Sequence, residues 1–433
     1  MTEYSEYKDS GQQWLGKVPS HWAIAKISTI FDENSKQNFE HEYSKQLQFK
    51  FGTIIPKKLS YDSEDSDWSI IEKYVIVKPN DIVINGLNLN YDLLSLRVGL
   101  VKEEGIITSA YILLRPKEGN NPSYLNYAFK GWDSRKLFHG MGTGVRLTLS
   151  WKELKNYYIP IPPKEEQEAI VAYLDKVTDD IDKAITAKQR IIASLEERRK
   201  IIITHAVTRG INPDAPLKDS GIDWLGKIPA HWEIIKLGAM GSTQNGVSND
   251  SAYFGNGYPF VSYSDVYKNF ALPSTVAGLA NSTPTEQKNY SVQSGDVFFA
   301  RTSETAEEIG FSSVCLETIP KAVFAGFLIR FRPKHNILNP LFSKYYFRAS
   351  VHRNYFVKEM NLVIRASLSQ KLLRGLPILI PPMNEQTQIS EYLEDKVGKL
   401  DNLIKITNKE IELLRERKNI IINETVTGKV KVI

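Results

Sequence analysis

From Pro160 to Gly210 the chain carries one apolar stripe. After Pro162-Pro163 neither proline nor glycine occurs until Gly210, and Ile170, Leu174, Val177, Ile181, Ala184, Ile191, Leu195 and Ile202 recur in steps built from three and four residues. That spacing predicts a long helix with a single apolar seam and charged flanks. At about 1.5 Å per residue, some 40 helical residues make a rod of roughly 60 Å. A second run, Ile380 to Val430, repeats the pattern at an offset of 219, with Ile389, Leu393, Val397, Leu400, Ile404, Ile411, Leu414 and Ile421 on its seam. A long helix with one stripe is unstable alone, so the two are expected to bury their stripes against each other.

Shorter patterns repeat as well. KDSGQQWLGKVPSHW (Lys8 to Trp22) returns as KDSGIDWLGKIPAHW (Lys218 to Trp232), an offset of 210. The chain is therefore a tandem duplication. Apolar runs bounded by Asp, Gly and Pro predict matching strands: Lys78 to Asn85 with Gln293 to Ala300, and Ala110 to Pro116 with Phe327 to Pro333. Short helices are expected at Pro122 to Trp132 and at Pro340 to Ser350. RLTLSWKELKNYYIPIPP (Arg146 to Pro163) matches RASLSQKLLRGLPILIPP (Arg365 to Pro382).

These landmarks predict an α+β protein with a pseudo-two-fold repeat: a globular domain over 1–159, a first long helix over 160–210, a second globular domain over 211–378 and a second long helix over 379–433. If the second helix buries its stripe along the first, the pair must be an antiparallel coiled coil with a domain at each end, and the chain end must return toward the N-terminus. The halves agree in their helices and opening segments and diverge between them. That contrast suggests one scaffold carrying two different recognition surfaces.

Composition narrows the class. At 433 residues, with 42% hydrophobic and 24% charged residues, the chain is expected to hold at least two globular domains. No apolar run approaches the ~20 residues of a membrane span, and the N-terminus has no signal pattern, so the expected compartment is the cytoplasm. The single cysteine, Cys315, excludes an internal disulfide framework, and with seven scattered histidines it makes no zinc cluster. A net charge of +5 permits a polyanionic partner without requiring one.

The motifs that suggest catalysis fail on their chemistry. Gly11 to Lys17 and Gly221 to Lys227 have the spacing of a phosphate loop, but Val18 and Ile228 stand where Ser or Thr must hold Mg²⁺, no strand is read before either, and each loop contains a Trp. They read as structural turns. No glycine-rich methyltransferase loop or amino-methylation motif occurs, and Pro213-Asp214 lacks the Glu-x-Lys of a metal-dependent nuclease. His21 and His231, each before a Trp, read as packed, hydrogen-bonded residues, because no nucleophile accompanies them. What remains is a set of polar, aromatic and basic loop residues suited to base edges and phosphates: Asn85, Asn88, Asn90, Tyr91 and Arg97 in the first half, and Ser262, Tyr263, Ser264, Arg301, Thr302 and Ser303 in the second. Arg146 and Arg365 occupy equivalent places in the two copies and join the set.

Taken in order, the W-L-G-K-x-P-x-H-W opening segment, Gly295 to Thr302 (GDVFFART), the I-P-P-x-x-E-Q that opens each long helix (Ile161 to Gln167, Ile380 to Gln386) and the E-R-R/K…V-T-R/G helix ends (Glu197 to Arg209, Glu416 to Gly428) resemble the specificity subunit of Type I restriction-modification systems, over the whole chain. In the first half, Asn80 to Asn85 departs from the G-D form, so the role of Arg301 is not carried to Asn85 or Gly86. The resemblance implies a non-catalytic chain with two target-recognition domains, each reading one half of a bipartite, asymmetric double-stranded DNA site, and with the helix pair as a ruler. It also implies two adenine-methyltransferase (modification) subunits docked on the helices, and restriction-translocase subunits joining that core. S-adenosylmethionine, ATP and Mg²⁺ would belong to those partners, and no cofactor to this chain. A coiled-coil adaptor whose ends bind proteins, and an enzyme acting alone, are the rival readings; sequence-specific binding of a bipartite duplex and methyl transfer by the isolated chain discriminate them.

Overall fold

The computed structural model describes residues 3–57, 71–91, 96–303, 308–359 and 366–432. The chain forms two compact units, Met1–Lys188 with Lys409–Ile433, and Gln189–Asn408. Each contains part of both long helices, Lys164–Arg209 and Met383–Val426.

The first unit is built on a four-stranded antiparallel sheet in the order Phe31–Glu33, Ile112–Pro116, Ile82–Ile84, Val98–Leu100. Ile82, Val83 and Ile84 are all buried, which is why this strand reads as an unbroken apolar run. Helix Pro122–Ser134 packs beside it. It starts where predicted because Asn121 Oδ1 accepts from the Ser123 and Tyr124 amides (2.9 and 3.2 Å) and proline opens its first turn. Trp22, Phe31, Tyr124, Phe129, Trp132 and Phe138 fill the core together with Ile170 and Leu174 of the first long helix and Ile422 and Val426 of the second.

The second unit repeats this topology strand for strand. Its sheet runs Gly241–Asn245, Leu328–Pro333, Val297–Ala300, Ser312–Val314. Asn339 caps helix Pro340–Tyr346 as Asn121 caps its counterpart. Trp232, Phe331, Phe342, Tyr346, Ile389 and Leu393 lie in its core. The units differ in their additions: hairpin Leu47–Lys50 with Thr53–Pro56 in the first, and Phe254–Val261 with Leu279–Ala280 and Val323–Phe324 in the second.

The repeated motifs are structural joints. Asp81 and Asp296 are almost fully buried, and each takes a two-pronged ion pair from an adjacent strand: Arg115 (2.8 and 2.7 Å) in one unit and Arg332 (2.6 Å for both bonds) in the other. Each also accepts from the amide three residues before it, Lys78 (2.9 Å) and Gln293 (2.8 Å). The turn that allows this needs positive φ at the preceding residue. Gly295 (φ 90°) supplies it in one copy and Asn80 (φ 77°) in the other, so the first half departs from G-D without changing the backbone.

The Glu-Gln of each I-P-P-x-x-E-Q has equally regular work. Glu166 accepts from His21 at 2.8 Å and Glu385 from His231 at 2.8 Å and from Trp232 at 3.0 Å. Gln167 and Gln386 each receive a loop amide, Asn121 (2.9 Å) and Asn339 (2.8 Å), and donate to the carbonyl of the first proline. The two histidines thus tie the opening segment to the start of a long helix; the hydrogen bond expected of each is present, but their side chains are half exposed instead of packed.

Two expectations need correction. A strand does precede each phosphate-loop-like stretch, Tyr7–Asp9 and Leu217–Asp219, but it pairs with Lys17–Pro19 or Lys227–Pro229 across the turn. Each lysine therefore begins a strand instead of a helix, and a hairpin of this kind has no helix N-terminus to hold phosphate. Ile191, placed on the first seam, is 50% exposed, because the stripe shifts by one position and Ile203, Ala206 and Val207 are buried beyond it.

Candidate nucleic-acid interface

In the first unit the loop after strand Ile82–Ile84 is stitched to the hairpin that precedes helix Trp151–Leu154. Leu149 donates to the Gly86 carbonyl (2.9 Å) and Leu89 to that of Leu147 (3.0 Å), while Thr143 and Thr148 bond each other's backbone. Only glycine fits at position 86, since a Cβ there would lie 2.3 Å from the Leu149 carbonyl oxygen. The close approach brings Asn88, Asn90, Tyr91 and Arg146 onto one surface, all exposed, with Asn90 Nδ2 3.5 Å from the Val145 carbonyl oxygen.

Two predicted readers have other employment. Arg97 turns its guanidinium onto the loop backbone, donating to the carbonyls of Asn85 (3.0 Å), Leu87 (2.7 Å) and Asn88 (3.2 Å). Asn85 Oδ1 accepts from the Leu87 amide at 3.2 Å. Both shape the loop that presents the exposed residues.

The second unit makes the same joint: Leu368 donates to the Arg301 carbonyl (2.7 Å), and Thr302–Ser303 pairs with Ala366–Ser367. Tyr263 Oη donates to the Thr302 carbonyl (3.0 Å), so the 262–264 and 301–303 segments, which the sequence leaves 37 residues apart, share a surface. Ser264 and Thr302 are exposed. Ser262 is not free to read bases: its hydroxyl donates to Asp265 (2.7 Å) and accepts from the Asp265 amide (3.3 Å), capping helix Tyr263–Lys268. Of Ser303 only the backbone is described, and Arg365 lies outside the described residues.

Sequence reasoning missed Phe327 and Val145. Phe327 is 65% exposed, and its carbonyl accepts from the Arg301 amide at 2.9 Å, which ties its backbone to that of the 301–303 segment. Val145, 97% exposed, is at the tip of its hairpin. Large apolar residues are read by default as core, and the available signal was their position beside Gly326 and Gly144.

The surfaces so built are polar and aromatic and rich in hydrogen-bond donors; among the described residues no group of three or more His, Cys, Asp or Glu could hold a metal ion. The sequence pattern that defines the Type I restriction modification DNA specificity domain matches residues 95–193 and 229–416, more than half of the chain. The chain belongs to this family. It is similar to the Type I restriction enzyme MjaVIII specificity subunit of Methanocaldococcus jannaschii, 24% identical over 424 residues with 96% of this chain and 94% of that one covered. It is also similar to the EcoKI specificity subunit of Escherichia coli K12, 22% identical with 91% and 86% covered. A solved chain described as "Structural basis underlying complex assembly and conformational transition of the type I R-M system" superposes with a TM-score of 0.70 at 16% identity, covering 95% of this chain and 99% of that one, which places both in one fold. As a specificity-domain protein, this chain is a recognition component and not the catalytic subunit. Among the described residues, no helix is long and apolar enough to cross a membrane.

Proposed function

We propose that the chain selects the DNA sequence on which a Type I restriction-modification complex acts, with each repeat reading one half of a bipartite, asymmetric target. The observation that carries this reading is the repeated joint: in both units, loops distant in sequence converge on one surface of mostly exposed polar side chains, with a cation at exposed Arg146 in one and at half-buried Arg301 in the other. On the first surface Asn88, Asn90 and Tyr91 supply base-edge contacts or stacking, and Arg146 a guanine edge or a phosphate. On the second, Ser264, Arg301 and Thr302 do so with Phe327 against a base or sugar, and Arg365 and Ser303 are placed in the same set. Each good base contact contributes ~1–3 kcal/mol of discrimination, and phosphate contacts supply much of the raw affinity.

The long helices are proposed as an antiparallel coiled coil that sets the spacer between half-sites. Two ion pairs support this, Asp182 with Lys418 at 2.7 Å and Arg199 with Asp401 at 2.6 Å. They are one contact made twice, since Asp401 and Lys418 are the repeat counterparts of Asp182 and Arg199. An antiparallel pair about a two-fold axis accounts for such a swap. The outer faces of the helices would dock two modification methyltransferase subunits, with restriction-translocase subunits joining that core in the cytoplasm. S-adenosylmethionine, ATP and Mg²⁺ belong to those partners.

Methylome sequencing of cells expressing the chain with its methyltransferase tests the reading. Arg146→Ala is expected to relax the first half-site alone and Arg301→Ala the second alone. Equal loss at both half-sites, or methylation with no bipartite motif, refutes the assignment.

A further inference from the structure

The second unit contains a cavity of about 740 Å³ that is set apart from the interface just described by its chemistry. Arg348 and Arg353 stack on one ring, with guanidinium carbons 4.1 and 4.6 Å from the centroid of Phe311. Arg348 also lies 5.1 Å from the Phe270 ring, and Arg199 and Lys200 of the first long helix complete a rim of four cations. The one acidic residue among the described lining residues is Glu308, which accepts from Tyr267 Oη at 2.6 Å.

Among the described residues neither Arg348 nor Arg353 is ion-paired to a carboxylate. Arg348 is saturated by backbone, donating to the carbonyls of Val266 (3.2 Å), Ser312 (3.1 Å) and Tyr267 (2.7 Å). Arg353 is not. Its Nη1 donates to the Arg348 and Ala349 carbonyls (3.2 and 2.8 Å), while its Nε is buried with no partner at all. Burial pushes both guanidinium groups down to about 10, with the charge of Arg348 contributing to the value of Arg353. Two desolvated like charges against one ring are costly unless an anion offsets them. Arg199 contributes less, because Asp401 already pairs with it at 2.6 Å.

Among the described residues the first unit has no such cluster, although the fold repeats. Arg97 stands where Phe311 does, each carbonyl accepting the same amide of the neighbouring strand (Asn85 and Ala300), and Lys130 stands where Arg348 does. Lys130 also lines a cavity, of about 540 Å³, but with Lys102, Tyr127 and Asp175 in place of the paired arginines and ring.

We propose that this cavity is a phosphate-binding site, held by the guanidinium of Arg353 together with Lys200 and Arg199, and distinct from base reading. Phosphate fits better than a carboxylate because four cations line the cavity against one acidic residue, and a doubly charged anion offsets more of that charge than a singly charged one. The phosphate arrives on a small phosphate ester or as a group of the DNA backbone.

The test is calorimetric titration of pyrophosphate into the full chain in phosphate-free buffer. Saturable binding at one site is expected, weakened at least tenfold by Arg353→Gln and less by Arg353→Lys, which keeps the charge and loses the fork. Lys200→Gln, a change on a helix surface, provides a second reading if Arg353→Gln does not fold, with a loss of at least threefold. A duplex lacking any target sequence, titrated with and without saturating pyrophosphate, separates the sources: competition assigns the site to a backbone phosphate, and unaltered duplex binding assigns it to a free ester. Absence of saturable pyrophosphate binding by the unaltered chain, or wild-type affinity in folded Arg353→Gln or Lys200→Gln, overturns the proposal.

Discussion

Shortening the proposed ruler by one helical turn is the most searching perturbation. Asp182 pairs with Lys418, so the stretch opposite Ile181–Ala184 is Glu416–Asn419. Deleting both quartets removes that ion pair as a unit and leaves Lys188 and Glu410, 2.7 Å apart, in the same relative register. Four residues at about 1.5 Å each remove roughly 6 Å of rod. At about 3.4 Å per base step this corresponds to about two base pairs. Because four residues advance an α-helix by only ~40° beyond a full turn at 3.6 residues per turn, the seams on either side stay nearly aligned. Methylome sequencing of cells carrying the variant with its methyltransferase should show the same half-site bases with a spacer shortened by one or two base pairs. Altered bases with an unaltered spacer would show that the helices do not measure the target. Deleting Ile181–Ala184 alone should instead abolish modification, since the second helix then has no partner in register.

Asp296→Ala removes the acceptor of three hydrogen bonds and strands the Arg332 guanidinium, which should cost about 3–5 kcal/mol in chemical denaturation of the second unit; a loss under about 1 kcal/mol would mean that the joint is not what holds the strand turn. His352 is fully buried, and its imidazole is pushed down to about 3 by that burial, partly offset by the bond to the Tyr346 carbonyl at 2.8 Å. The unfolded chain therefore takes up this proton first, near 6.5: the contribution is complete above that pH and is lost as pH falls toward 3, by up to roughly 5 kcal/mol. Subtracting the pH profile of His352→Gln from that of the unaltered chain should isolate this slope, and superimposable profiles would exclude it. Phe327→Ala should leave thermal stability unchanged, because the ring is largely in solvent, and weaken recognition of the second half-site; unaltered modification there would make Phe327 a bystander.

Much of the scaffold was readable from one chain because the duplication supplies its own comparison. Repeated residues mark joints: the histidines that meet Glu166 and Glu385, the buried aspartates, the capping asparagines. Each needs a defined partner in both copies, so each recurs in the second half at its place in the motif order, at offsets of 210 to 219. Loop residues have no such constraint, so the sequence does not show that Arg97 and Ser262 already have partners within the chain. Their side-chain chemistry is right, but local backbone groups engage it first. Phe327 was overlooked for the opposite reason, since an apolar side chain in a strand-like run is normally buried.

Periodicity, internal repeats and missing catalytic motifs alone determined that this is a duplicated α+β chain with two long one-striped helices and no chemistry of its own. These are local properties, set by the rise of a helix, the alternation of a strand and the chemistry of individual side chains. Tertiary structure alone decided which loops meet on one surface, which polar side chains remain open there, and that Arg348, Arg353 and Phe311 gather around a cavity. Such convergence depends on contacts between residues tens of positions apart, and a linear pattern records the residues without their distances.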